Sequence, residues 1–437
     1  MFSYYIELAL RSLKRSPGLT LLMILTIGFG VAASMTTWSV FRAVSGDPIP
    51  SKSSKLFVPQ IDMWGPSSSS PKDPDYGQPP DAMDYNDAVA LMGDHRAKLQ
   101  SATYSVTPSV VPADPGKHPL HVSGHAVYGE FFPMVDAPFQ YGSGWNAADD
   151  EHRAQVAVIG SKLNDKLFDG ANSVGKTFNV DGRDYRVIGV LAAWNPQPRF
   201  YDVENTGGFV GDAEDLFLPF TTAIAAGMPN TGNTNCTKVP DAGFEGLQRS
   251  SCVWISYMAQ LDDAAAVGAY RNYLEGFART RYASWPSNVR LRSLPEWLDH
   301  LHVVPSDTKV SLLIALGLLI VCLVNTAGLL LAKFLRRSSE IGVRRALGAP
   351  RTAIYAQFLT EGAMIGLAGG VLGLVLTGIG VASVAEVLPR DIADLAHLDV
   401  SLLATTLAVS VLASVLAALY PTFRASRVQP AWQLKSN

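Results

Sequence analysis

Three cysteines are all that 437 residues carry, too few for a disulfide-dense scaffold or a cysteine-rich metal module. Neither HExxH nor GxSxG occurs, so no spacing demands metal or nucleophilic catalysis, and no catalytic residue or metal site is expected. Charge is scarce too. Asp, Glu, Lys and Arg make up 17% of the chain and are missing altogether from Leu19–Phe41, Val310–Ala332, Gly362–Ala385 and Ser401–Phe423. A helix of about twenty residues is what roughly 30 Å of hydrocarbon requires. Because a backbone in lipid must satisfy its own polar groups, each run is read as one helical crossing.

What charge there is sits asymmetrically. Residues 45–309, between the first and second runs, hold 21 Lys+Arg against 31 Asp+Glu, and the remainder holds 14 against 7. Arg11, Lys14 and Arg15 precede the first crossing. Lys333, Arg336, Arg337, Arg344, Arg345 and Arg351 lie between the second and third, and Arg424, Arg427 and Lys435 follow the fourth. The turn between crossings three and four holds only Arg390 against Glu386, Asp391, Asp394 and Asp399. The positive-inside rule then puts both termini and the 333–361 connection in the cytoplasm of a multi-pass plasma (inner) membrane protein. A basic inner face suits anionic membrane lipid, and nothing suggests nucleic acid.

The expected fold class is an α-helical membrane bundle of four transmembrane helices with a large α+β extracytoplasmic domain. Residues 1–18 form an amphipathic helix, with Phe2, Tyr5, Ile6, Ala9 and Leu13 on one face, lying on the inner membrane surface as part of an uncleaved anchor. The first crossing occupies 19–44. Residues 45–309 form the extracytoplasmic domain, long enough for two subdomains. The remaining crossings are 310–332, 362–385 and 401–423, separated by a cytoplasmic connection at 333–361 and an outer turn at 386–400, with a cytoplasmic tail at 424–437.

Within the outer segment, Trp64–Pro80 reads as an exposed loop, Asp81–Leu99 as a helix, Val156–Ile159 as a buried strand and Ser161–Phe168 as a short helix. Lys176–Val180 and Tyr185–Val190 flank a hairpin turn, Asn195–Asn235 reads as mostly irregular, and Ala264–Tyr282 as a helix. Residues Gly170–Thr177 match the phosphate-cradling GxxxxGK[ST] pattern by letter, but a helix precedes them and a hairpin follows, so nucleotide binding is not expected. His118, His121 and His125 read as solvated loop residues rather than metal ligands. Cys236 and Cys252 lie where oxidation is permitted. A disulfide between them, worth about 3 kcal/mol by loop entropy, is expected over two free thiols.

In the membrane half, Gly362, Gly366 and Gly370 recur every four residues, as do Gly369 and Gly373, a spacing that lets helices pack closely in lipid. Asn325 lies at depth in crossing two and can bond across helices or to its own backbone. The sharpest local signal is in the 333–361 connection. Glu340 and Arg344 support a helical turn, Ile341, Ala346 and Leu347 supply apolar contacts, Gly348 can end the helix, and Pro350 can start the next. The product is a short basic helix between two crossings, shaped as a lever for a cytoplasmic partner or as a helix on the lipid surface.

At these residues the chain resembles the MacB/FtsX-like family of ABC transporter permeases. Glu340-Ile341-Gly342-Val343-Arg344-Arg345-Ala346-Leu347-Gly348-Ala349 is similar to that family's signature between its second and third crossings, and Val324–Ala332 to the stretch before it. Arg11–Thr20 is similar to the start of its first helix, Pro421–Pro430 to its C-terminal signature, and Val174–Val190 to a hairpin of its outer domain. The resemblance implies a non-catalytic permease subunit whose residues Glu340–Ala349 couple to a cytoplasmic ABC ATPase on a separate chain, which carries the ATP and Mg. It further implies a second permease copy or paralogue, with crossings one and two at the seam, and for some members a periplasmic adaptor and outer-membrane channel. Efflux of antibiotics, peptides or lipids is the expected activity. Lipoprotein trafficking, cell-wall regulation or a membrane-anchored receptor without an ATPase are the alternatives.

Overall fold

The computed structural model describes residues 2–65, 76–112, 118–209, 212–304, 306–387 and 400–426. The expected outer turn and tail therefore lie largely outside the described residues, as does the middle of the Trp64–Pro80 loop. The chain forms two compact units, residues 1–45 with 304–437, and residues 46–303.

The first unit is helical. An N-terminal helix, Phe2–Arg15, ends at Ser16, and Pro17 opens TM1 (Pro17–Ser45). TM2 is Ser306–Arg336, a linker helix spans Ser338–Ala346, TM3 is Arg351–Val387 and TM4 is Val400–Ser426. Each TM helix is long and apolar enough to span a bilayer. TM3 begins eleven residues before Gly362, directly after the Pro350 expected to start a helix, so the second half of the 333–361 connection is helical. Gly348, at φ +94°, terminates the linker helix in a conformation that disfavours side chains, and the fixed φ of Pro350 opens TM3 directly behind it.

The glycines of TM3 divide between two neighbours. Gly362, Gly366 and Gly370 face TM4: a methyl at Gly362 would lie 2.8 Å from Ala418 Cβ, and one at Gly366 would overlap Ser414 Oγ. Gly369 and Gly373 face Ile27 and Val31 of TM1, at 2.9 and 3.3 Å. Cys322 of TM2 packs against Gly30. Asn325 does not join this packing. Its side chain is exposed on a face of TM2 turned away from the other described helices.

The second unit is built on one mixed sheet of twelve strands among the described residues. These are β1 (Leu56–Ile61), β2 (Leu99–Val106), β3 (Ser109–Val111), β4 (Leu120–His121), β5 (Gly124–Val127), β6 (Phe139–Gly142), β7 (Val156–Ile159), β8 (Thr177–Val180), β9 (Arg183–Leu191), β10 (Leu216–Pro219), β11 (Ser256–Gln260) and β12 (Val289–Ser293). They lie in the order β12-β1-β11-β2-β5-β10-β7-β9-β8-β3-β4, with β6 beside β9. The β5/β10 and β7/β9 pairs are parallel.

Strand alternation sends successive side chains to opposite faces. Phe57, Ala157, Leu216 and Tyr257 join one core, and Val58, Val158, Phe217 and Met258 the other. Two cores thus lie on the two faces of one sheet. The Asp81–Leu99 helix shrinks to Tyr85–Asp94, because Asp84 caps its start, His95 closes it at φ +45°, and Leu99 already begins β2. The expected irregular stretch 195–235 contains β10 at the middle of the sheet and helices Val203–Thr206 and Phe220–Ala226. Cys236 and Cys252 form a disulfide.

Candidate functional site: the linker helix and its buried ion-pair node

The segment Glu340–Ala349 divides into an inward and an outward face. Ile341 and Gly342 are buried, and Ile341 joins the core of the helical unit with Phe334 and Phe358, whose rings lie 4.0 Å apart. Val343 is 53% exposed and Leu347 83% exposed, and Ala346 and Gly348 lie open beside them. Of the expected apolar contacts, Ile341 therefore packs inward, whereas Ala346 and Leu347 form the free tip. Arg345 and Ala349 are partly covered.

Polar contacts fix the roll of this helix. Glu340 accepts from Arg337 at 3.2 and 3.3 Å and from Arg344 at 3.3 Å, and Arg344 donates to Gln357 Oε1 of TM3 at 2.9 Å. Burial alone would push the Glu340 carboxyl up. The guanidiniums of Arg337, Arg344 and Arg15 outweigh it and hold the group below the usual carboxylate range.

Beneath the helix lies a charged node that the uncharged-run reading missed. Lys333 Nζ stands 2.6 Å from Glu361 Oε1, with the two side chains 3% and 0% exposed, and Arg337 NH1 is 3.5 Å from Glu361 Oε2. Ser12 donates to Glu361 Oε1 at 2.7 Å and accepts from Arg337 at 2.5 Å. Lys333 also reaches Thr20 Oγ1 of TM1 at 3.4 Å. The signal available in the sequence was the placing of Lys333 and Glu361 one residue beyond two uncharged runs. Charges buried that deeply must be paired.

Elsewhere, resemblances to catalytic sites dissolve. His118 and His121 are exposed as expected, but His125 is fully buried. Its Nε2 lies 2.8 Å from Asp202 and its Nδ1 3.3 Å from Glu214, which also pairs with Arg199. Burial opposes the imidazolium, but Glu214 and Asp202 override it and push its pKa up to about 10. Ser105 Oγ lies 3.3 Å from Nε2, yet a ring protonated on both nitrogens cannot take its proton, so the set is not a nucleophilic triad. In Gly170–Thr177 the amides of Gly170, Ala171, Val174, Gly175 and Lys176 all bond protein oxygens, including Val187 O at 2.8 Å from Gly175 N. None of the five is free to cradle phosphate.

Four long apolar helices, with a folded α/β unit inserted between the first and second, define a multi-pass membrane protein of the permease type. The family model for a MacB-like periplasmic core domain matches residues 20–277, and that for the FtsX-like permease C-terminal region matches residues 312–430. The chain belongs to the MacB/FtsX-like family of ABC transporter permeases. It is 23% identical to the macrolide export ATP-binding/permease protein MacB of Escherichia coli over 382 residues, 86% of this chain and 52% of that protein. With the protein of the same description from Rhodospirillum rubrum it shares 30% identity over 258 residues, 57% of this chain and 34% of the relative. The chain thus spans about half the length of the first of these relatives, and less of the second. A crystal structure of the periplasmic region of MacB from Actinobacillus actinomycetemcomitans aligns with 57% of this chain and 94% of its own, at 13% identity and a TM-score of 0.36.

Proposed function

We propose that this chain is the permease of an ABC-type exporter, receiving the stroke of a cytoplasmic ATPase at the linker helix and delivering it as motion of the outer unit. The observation that carries this reading is the two-faced linker helix. Its inner face is welded to TM2 and TM3 by Ile341 and Arg344, and its outer tip presents Val343, Ala346 and Leu347 uncovered. An apolar tip on a clamped helix is what a groove on a partner can grip and displace as a rigid body. ATP and Mg belong to that ATPase, and no cofactor is assigned to this chain. The basic residues beside the crossings support a cytoplasmic position for both ends of this chain and for the linker helix. A second permease copy or paralogue meets this one at the first two crossings, with TM2 offering the open face. Efflux of amphiphilic small molecules, peptides or lipids, with a periplasmic adaptor and outer-membrane channel as further partners, extends what the MacB relatives' description says of them.

Leu347→Asp tests the reading. The side chain is 83% exposed, so the variant should insert and fold normally. The ATPase activity that co-purifies with the wild-type chain should fall at least tenfold. Undiminished activity with Leu347→Asp, or none with the wild type, would overturn the proposal.

A further inference from the structure

An amphipathic N-terminal helix ordinarily needs no role beyond resting on the membrane. Here its inner face packs on protein: Ala9 and Ser12 are buried, and Phe2–Arg15 lies against TM3. Its polar hold is concentrated at one residue. Ser12 Oγ donates a hydrogen bond to Glu361 and accepts one from Arg337, the residue from which the linker helix departs. Thr20 Oγ1 of TM1 donates to Leu13 O at 3.2 Å, and the pair of Arg15 with Glu340 at 3.6 Å has its arginine 72% exposed and contributes little in water. Through Glu361 and Arg337, the N-terminal helix, the end of TM2, the linker helix and the start of TM3 share one buried node.

We propose that helix Phe2–Arg15 is a working part of the lever, with Ser12 and Glu361 as positioning residues that make it move with the linker helix. The purpose of this connection rests on the permease reading, but its rigidity does not require an ATPase. The linker helix hangs between two short joints, Arg337 and Leu347–Pro350. A rod on two joints can roll and dissipate a push. Ties on both sides of it, from TM3 and from the N-terminal helix, remove that freedom.

Spin labels at Arg11→Cys and Ala346→Cys, both at exposed positions, in a Cys322→Ala background report the distance between the two helices in the full chain in nanodiscs. The wild type should give one narrow distribution. Ser12→Val should at least double its width, Ser12→Thr should restore it, and Glu361→Gln should broaden it too. Unchanged widths in both Ser12→Val and Glu361→Gln, or a wild type already as broad, would overturn the inference. In the complex isolated with its ATPase, Ser12→Val should at least halve the ATP-driven shift in this distance. An undiminished shift would overturn the inference as well. If no ATPase accompanies the wild type, the permease reading falls, and the width comparison still judges the connection.

Discussion

At the scale of single residues, burial with a partner separates the groups that matter from their look-alikes. His125 shares its segment with His118 and His121 but is the one enclosed between Asp202 and Glu214. Its pKa is raised from 6.5 to about 10, so the folded state holds a proton that the unfolded chain releases. The stability it supplies is complete below about pH 6.5 and is lost as pH rises toward 10. In His125→Gln the buried Asp202 carboxylate loses its cation while Glu214 keeps Arg199, at a cost of about 3–5 kcal/mol. Denaturant titrations should show that gap between wild type and variant at pH 6 and a markedly smaller one by pH 9.5. A gap independent of pH would show that His125 is not held as imidazolium. Neither the enclosure of His125 nor the contact of Ser12 with Glu361 was legible in the sequence. The partners of His125 lie 77 and 89 positions away in the chain, and Ser12 and Glu361 lie 349 apart, while counting uncharged runs discards the charges at their edges.

Elements were legible where one physical constraint dominates. Lipid imposes twenty uncharged residues, and all four helices were visible as such runs. TM3 extends back to Arg351 because the helix continues into polar surroundings, where Gln357 and Glu361 find partners. A four-residue strand imposes almost nothing. Leu216–Pro219 sits in Gly- and Asn-rich sequence and becomes recognisable only once β5 and β7 pair with it. The glycine period told that TM3 packs closely, but not that its two rows address different helices. The TM4 row gives a direct prediction. Gly366→Ala would push a methyl into Ser414 Oγ and to 2.9 Å from Ser410 O, at a site where Ser410 also bonds Gly366 O at 2.6 Å. Overpacking of this kind costs about 1–3 kcal/mol. Leu412→Ala, on the exposed face of TM4, should cost under about 0.5 kcal/mol. Reversible unfolding in mixed micelles reads both, and equal effects would contradict the assigned facing of TM3.

For the whole molecule, the question is what covers TM2. It is the least covered of the four, 11% buried against 39–50% for the others, and its open face is not random. Ile314, Gly317, Val321, Val324, Asn325 and Gly328 repeat at helical spacing along one stripe, all exposed, with nothing within 4 Å of either glycine position. Branched apolar residues alone would suit lipid. A side-chain amide in hydrocarbon is costly, whereas small residues and an amide together suit close approach of another helix. TM4 also has exposed leucines, Leu412 and Leu416 at 62%; its Thr406, Ser410 and Ser414 are buried within the unit, and the exposed Thr405 hydroxyl is satisfied by Ser401 O of its own helix. The two faces therefore predict opposite behaviour under oxidation. With Cys322→Ala as background, Gly328→Cys should cross-link two copies in native membranes within minutes of adding a copper oxidant, whereas Leu412→Cys should remain monomeric on a non-reducing gel. Cross-linking at Leu412 with none at Gly328 or at Val324→Cys would move the seam off TM2, and the stripe bearing Asn325 would then have to face something other than a second permease.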